Sequence, residues 1–155
     1  MGSRIGYIGG TFDLFHLGHA KLISTALNNF EKIIIAVNPD DFCERFKRKP
    51  VMSFTERVDM ICAFVGQKIN RVTVIENTGR ENTRETITQQ VFQKLKKDDR
   101  LFIIHGDDWT GDSYLKQLNI TNSWLEKKQI TLWYLPYTKE ISTTEIINRI
   151  KCAKN

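Results

Sequence analysis

The sequence predicts an α/β fold: an open, doubly wound sheet of five parallel strands with helices on both faces. Three observations predict it. Five short apolar runs are rich in β-branched residues and continuous rather than alternating, the pattern of strands covered on both faces. Helical patterns with start signals lie between these runs, and strands alternating with helices imply right-handed crossovers. The 155 residues, 41% hydrophobic and 26% charged, suit one soluble globular domain spanning residues 1–155.

The first run, Ile5-Gly6-Tyr7-Ile8, leads into a glycine-rich turn with a helix expected just beyond it. The second, Ile33-Ile34-Ile35-Ala36-Val37, precedes the longest candidate loop, Asn38 to Met52, which is polar and basic. A loop of that size inside a compact domain is often functional. Ser53 followed by Glu56 makes a capping box, after which Val58, Ile61, Cys62 and Val65 recur on one helical face. Val72-Thr73-Val74-Ile75 is the third run; Asn82 and Glu85 then repeat the capping pattern before Ile87, Val91 and Leu95. Lys94, Lys96 and Lys97 close that helix, where cations suit its dipole. Leu101-Phe102-Ile103-Ile104 and the run from Ile130 to Leu135 complete the strands. Ser142 and Glu145 open a last helix whose Ile146, Ile147 and Ile150 share a face. Such sheets bind ligands at the carboxyl ends of their strands, near the topological switch point.

Composition narrows the setting. No apolar run approaches the roughly 20 residues of a membrane span, and the first residues lack a signal peptide's apolar stretch, so a cytoplasmic protein is expected. Cys43, Cys62 and Cys152 are odd in number and widely spaced, which indicates neither a disulfide framework nor a zinc site; Cys62 is expected in the core. The net charge of +5 is partly concentrated in Arg45, Lys47, Arg48 and Lys49, behind the second strand. Those side chains have the reach to lie over the strand ends.

The chemistry-bearing residues begin where the first run stops, at Gly9-Gly10-Thr11-Phe12-Asp13-Leu14-Phe15-His16-Leu17-Gly18-His19. Two glycines after a strand allow close backbone approach and offer N–H groups to phosphate. His16 and His19, three apart, fall on one side of a helix's first turn, from which both imidazoles can donate to charge on a phosphoryl group in flight. Ser142, Thr143 and Thr144 add hydroxyls to the free N–H groups of a helix start, a natural anion site. Gly106-Asp107-Asp108-Trp109 ends the fourth run with carboxylates able to accept from an exocyclic amine. Arg80 and Arg84, after the third run, are candidate clamps for an acceptor's phosphate.

Together these elements resemble the HxGH-type nucleotidyltransferases, and within them the cytidylyltransferase branch similar to bacterial glycerol-3-phosphate cytidylyltransferases. Gly10-Thr11-Phe12-Asp13 through His16-Leu17-Gly18-His19, then Gly106-Asp107-Asp108-Trp109, then Ile141-Ser142-Thr143-Thr144-Glu145-Ile146 carry the resemblance in the expected order. It implies a Rossmann-like fold, catalytic His16 and His19, and a lysine-bearing loop gripping phosphates, with Lys47 and Lys49 as catalytic candidates and Arg48 beside them. It also implies nucleotide binding by Gly9, Gly10, Thr11, Phe12, Gly106, Asp107, Asp108, Trp109 and Ile141 to Thr144, with Asp107 and Asp108 reading the cytosine. One departure stands out. Where the family usually has Arg-Thr-x-Gly-Ile-Ser, this chain reads Tyr137-Thr138-Lys139-Glu140-Ile141-Ser142, so a tyrosine replaces the phosphate-holding arginine and a glutamate the glycine.

The reaction implied is in-line attack by an acceptor's phosphate or phosphonate oxygen on the α-phosphorus of CTP, releasing pyrophosphate, with Mg²⁺ spanning the phosphates and Asp13 orienting the metal or its waters. A homodimer is expected by analogy; a membrane is not, nor is nucleic acid. An adenylyltransferase of the same superfamily is the alternative enzyme. A nucleotide- or nucleic-acid-binding module that keeps the site but has weak catalysis is the alternative from another class.

Overall fold

The computed structural model describes residues 2–78, 83–108 and 110–153. Within them β1 (Arg4–Gly10), α1 (Leu17–Asn29), β2 (Lys32–Val37), α2 (Asp40–Phe46), α3 (Phe54–Val65) and β3 (Val72–Glu76) form one half. The other half comprises α4 (Thr83–Thr86, continuing through wider and then tighter turns to Lys94), β4 (Arg100–Gly106), α5 (Asp112–Gln117), α6 (Asn122–Lys128), β5 (Thr131–Leu135) and α7 (Thr143–Cys152). All five strands pair in parallel in the order β3-β2-β1-β4-β5.

Each central strand buries both faces, which is why its apolar run is continuous. In β2, Ile33, Ile35 and Val37 pack with Ile23, Ala26 and Leu27 of α1 and with Ile61 and Val65 of α3. Ile34 and Ala36 point the other way, toward Ile87, Val91, Tyr114, Leu115 and Trp124. The chain reverses its direction of travel between β1 and β4, and there the register opens a crevice. Ile5 and Tyr7 of β1 lie opposite Leu101 and Ile103 of β4, but Ile8, Gly9 and Gly10 pair onward with β2 only. The carboxyl ends of β1 and β4 therefore part at the switch point, the position where such sheets bind ligands.

Two sequence expectations need correction, and the last helix adds a finding. The stretch from Asn38 to Met52 is not a plain loop: Asp40 and Asp41 sit in the first turn of α2, where acidic side chains suit the dipole. Cys43, on the inner side of α2, is the buried cysteine, while Cys62 is half-buried. The apolar residues of α7 do not enter the core; no residue of that helix is buried, and Ile150 is exposed. Asn82 of the second capping pattern lies outside the described residues. The capping box of α3 is complete, Ser53 Oγ accepting from Glu56 N and Glu56 Oε2 accepting from Ser53 N. At α7 only half of it forms, because Glu145 turns to Arg149 (3.0 Å) while Ser142 Oγ accepts from Glu145 N. Among the described residues no helix is long and apolar enough to cross a membrane.

Candidate active site

A cleft of about 660 Å³ occupies the crevice, within the range of small-molecule sites. Its walls come from the end of β1 and the turn after it, the first turns of α1, the ends of β4 and β5, and the N-terminus of α7.

His16 is the N-cap of α1. Its Nδ1 accepts from Gly18 N (3.1 Å), and His19 Nδ1 accepts from His16 N (3.3 Å), a reciprocal cap made by two imidazoles. The rings stack with centroids 3.8 Å apart. Since each Nδ1 accepts, Nε2 carries the proton in each neutral ring, so both present an N–H donor. Burial lowers the His16 pKa; burial and then the neighbouring His16 charge push His19 down to about 3. Both imidazoles are therefore neutral donors near pH 7. Gly18 is required by this geometry: a Cβ there would lie 2.9 Å from His16 Cε1 and 3.0 Å from its Nδ1.

The preceding turn is strained and clamped. Phe12 and Leu14 adopt φ of 57° and 47°, a left-handed conformation that bulky residues hold only when their surroundings impose it. Arg57, fully buried, supplies that constraint: Nη1 donates to the carbonyls of Thr11 (2.6 Å) and Asn38 (2.9 Å), Nε to Met52 O (3.2 Å), and Nη2 to Asp40 Oδ1 (2.5 Å). Asn38 Nδ2 donates to the Thr11 hydroxyl (3.3 Å), and Asn77 Nδ2 in turn holds Asn38 Oδ1 (2.8 Å). Far along the chain, the Thr143 hydroxyl donates to the Asp13 carbonyl at 2.8 Å. That bond fastens the N-terminus of α7 to the histidine turn.

Of the residues singled out from the sequence, Gly9, Gly10, Thr11, Phe12, His16, His19, Lys47, Gly106, Asp108, Ile141, Ser142, Thr143 and Thr144 all line this one cleft. Others are placed elsewhere. Asp13, expected to orient a metal or its waters, has a buried carboxylate that accepts from Val51 N and Met52 N (2.9–3.1 Å) and pairs with Arg48 Nη1 (3.1 Å). Burial alone would raise its pKa, but these donors outweigh it and hold the carboxyl below the ordinary value. Among the described residues no group of three or more His, Cys, Asp or Glu side chains is gathered to hold a metal.

Arg48 is drawn away from the cleft to Asp13, and Lys49 does not line it, so Lys47 is the cation the loop delivers. Asp107 shapes the wall instead of facing the cleft: its N–H donates to Leu135 O and its Oδ1 accepts from Tyr137 N, both at 2.8 Å. Arg84 stands over the Trp124 ring, 5.5 Å from its centroid, on the opposite face of the sheet from α1. Arg80 and Trp109 lie outside the described residues. The cleft also gathers Lys21, Thr25 and His105, which sequence reasoning missed. For Arg57 a signal existed, since Arg57, Ile61 and Val65 form the buried i, i+4, i+8 stripe of α3.

A family model described as cytidylyltransferase-like matches residues 7–149. The chain belongs to that family. It is 31% identical to the glycerol-3-phosphate cytidylyltransferase of Bacillus spizizenii, over 88% of this chain and 89% of that protein. It is also 38% identical to the phosphopantetheine adenylyltransferase of Methanopyrus kandleri, but over 49% of this chain and 50% of that one. Among solved structures, a bifunctional NMN adenylyltransferase/ADP ribose pyrophosphatase from Francisella tularensis superposes with a TM-score of 0.68 at 20% identity, covering 99% of this chain and 43% of that one. That likeness concerns the fold.

Proposed function

We propose that this cytidylyltransferase-like chain transfers CMP from CTP to a small acceptor bearing a phosphate or phosphonate, of the glycerol 3-phosphate kind. The observation that carries the reading is the Thr143–Asp13 bond, made across 130 residues, which fastens a hydroxyl-rich helix start to the turn that leads into the paired imidazoles. The near full-length similarity to a glycerol-3-phosphate cytidylyltransferase supports CTP over ATP.

In the reaction an acceptor oxygen forms a bond to the α-phosphorus, the bond from that phosphorus to the bridging oxygen breaks, and pyrophosphate leaves with the electron pair. His16 and His19 donate through Nε2 to the oxygens on which charge grows, and as neutral, pre-oriented donors they need no rearrangement. The free N–H groups of α7 and the ammonium of Lys47 hold the phosphates, and the Gly9-Gly10 backbone permits their approach. Positioning supplies most of the acceleration, so no protein nucleophile is needed. A divalent cation enters as part of the triphosphate substrate.

The test is a pyrophosphate-release screen of CTP and ATP against glycerol 3-phosphate, phosphocholine, phosphoethanolamine and small phosphonates. Turnover with CTP and one of these acceptors is expected. Release from ATP alone would make the chain an adenylyltransferase, the reading favoured by its similarity to the Methanopyrus kandleri enzyme.

A further inference from the structure

The cleft wall carries two kinds of surface. One is polar: the imidazoles, Lys21, Lys47, Lys139 and the start of α7. The other is apolar surface and backbone from the ends of β4 and β5, Ile104, Gly106, Leu135, Pro136 and Tyr137, with His105 and Asp108 between them. Tyr137 occupies the position where the resembled family carries a phosphate-holding arginine.

Its placement is well determined. Pro136 restricts the backbone before it, and Asp107 Oδ1 accepts from its N–H at 2.8 Å. Its ring edge passes close to Gly106, where a Cβ would stand 3.4 Å from Tyr137 Cδ2. Tyr137 remains 43% exposed and lines the cleft. A flat, polarisable and uncharged face on the cleft wall suits a flat ring rather than a phosphate, and base–aromatic stacking is sequence-tolerant and substantial.

Resting on the proposed nucleotidyl transfer, we propose that Tyr137 is a stacking platform for the nucleobase, so that this chain replaces a phosphate contact with a base contact. Phosphate neutralisation then falls to the lysines lining the cleft, Lys21, Lys47 and Lys139.

Calorimetric titration of the full chain with CTP, and separately with inorganic tripolyphosphate, tests this. Tyr137→Ala should weaken CTP about tenfold or more while leaving tripolyphosphate unchanged, and Tyr137→Phe should retain both affinities. Equal CTP affinity in Tyr137→Ala, or an equal loss for tripolyphosphate, would overturn the inference and leave the transfer reading standing. Failure of the wild-type chain to bind any nucleoside triphosphate would overturn both.

Discussion

Arg57 Nη1 donates to the carbonyl of Thr11 at 2.6 Å, joining the middle of the chain to the turn that carries the histidines. The guanidinium is fully buried, and its fork satisfies three backbone carbonyls that otherwise have no partner in common. Replacing it with Met removes those donors and leaves polar groups buried. We expect Arg57→Met to lose about 2–5 kcal/mol in urea unfolding. A loss under about 0.5 kcal/mol would show that the network is dispensable.

Gly18 offers a case where stability and function separate. Alanine is the better helix former by about 1 kcal/mol, yet its Cβ would displace the His16 ring. The propensity gain and the loss of the His16 cap offset each other, so Gly18→Ala should stay within about 1 kcal/mol of wild-type stability while turnover falls at least about tenfold. Full activity with unchanged stability would contradict the need for a glycine between the two histidines.

Glu140 stands at φ +66°, the left-handed region, where the resembled family carries glycine. A side chain there costs energy that glycine avoids, although glycine also gains freedom when unfolded. Glu140→Gly should raise stability by about 0.5–1 kcal/mol, and Glu140→Val should lower it. Melting temperatures that rank the variants the other way would refute the assignment of strain.

The acid response follows from His19. Its folded pKa of about 3 lies below the ordinary 6.5, so between those values the unfolded chain binds more protons than the folded one. The stability this contributes is complete above about pH 6.5 and declines as pH falls toward 3, with a slope of at most about 1.4 kcal/mol per unit. Asp13, also lowered in the folded state, adds a loss at the acid end of that range. Denaturant unfolding of wild type and His19→Asn between pH 4 and 7 should show a shallower decline in the variant. Parallel curves would mean that His19 titrates normally.

What the sequence showed and what it hid divide on physical lines. The strands were legible because burial on two faces leaves continuous apolar runs, as in Ile33 to Val37. The histidine turn and the Ser142 cap were legible because their signals are local. Which cation of Lys47, Arg48 and Lys49 reaches the cleft was not, because Asp13, more than 30 residues earlier, captures Arg48. The burial of Cys43 behind Thr11 likewise depends on a helix whose flanks read as loop. The open side of α7 was hidden too, since its apolar spacing alone says nothing about what lies opposite it.

Turnover of CTP with an acceptor by His19→Ala, compared with wild type at equal folded fraction, bears most directly on the paired imidazoles as donors to the reacting phosphate. Pyrophosphate release should fall by about 10² or more with the fold intact, the scale of losing one pre-oriented donor. Undiminished release would contradict that role.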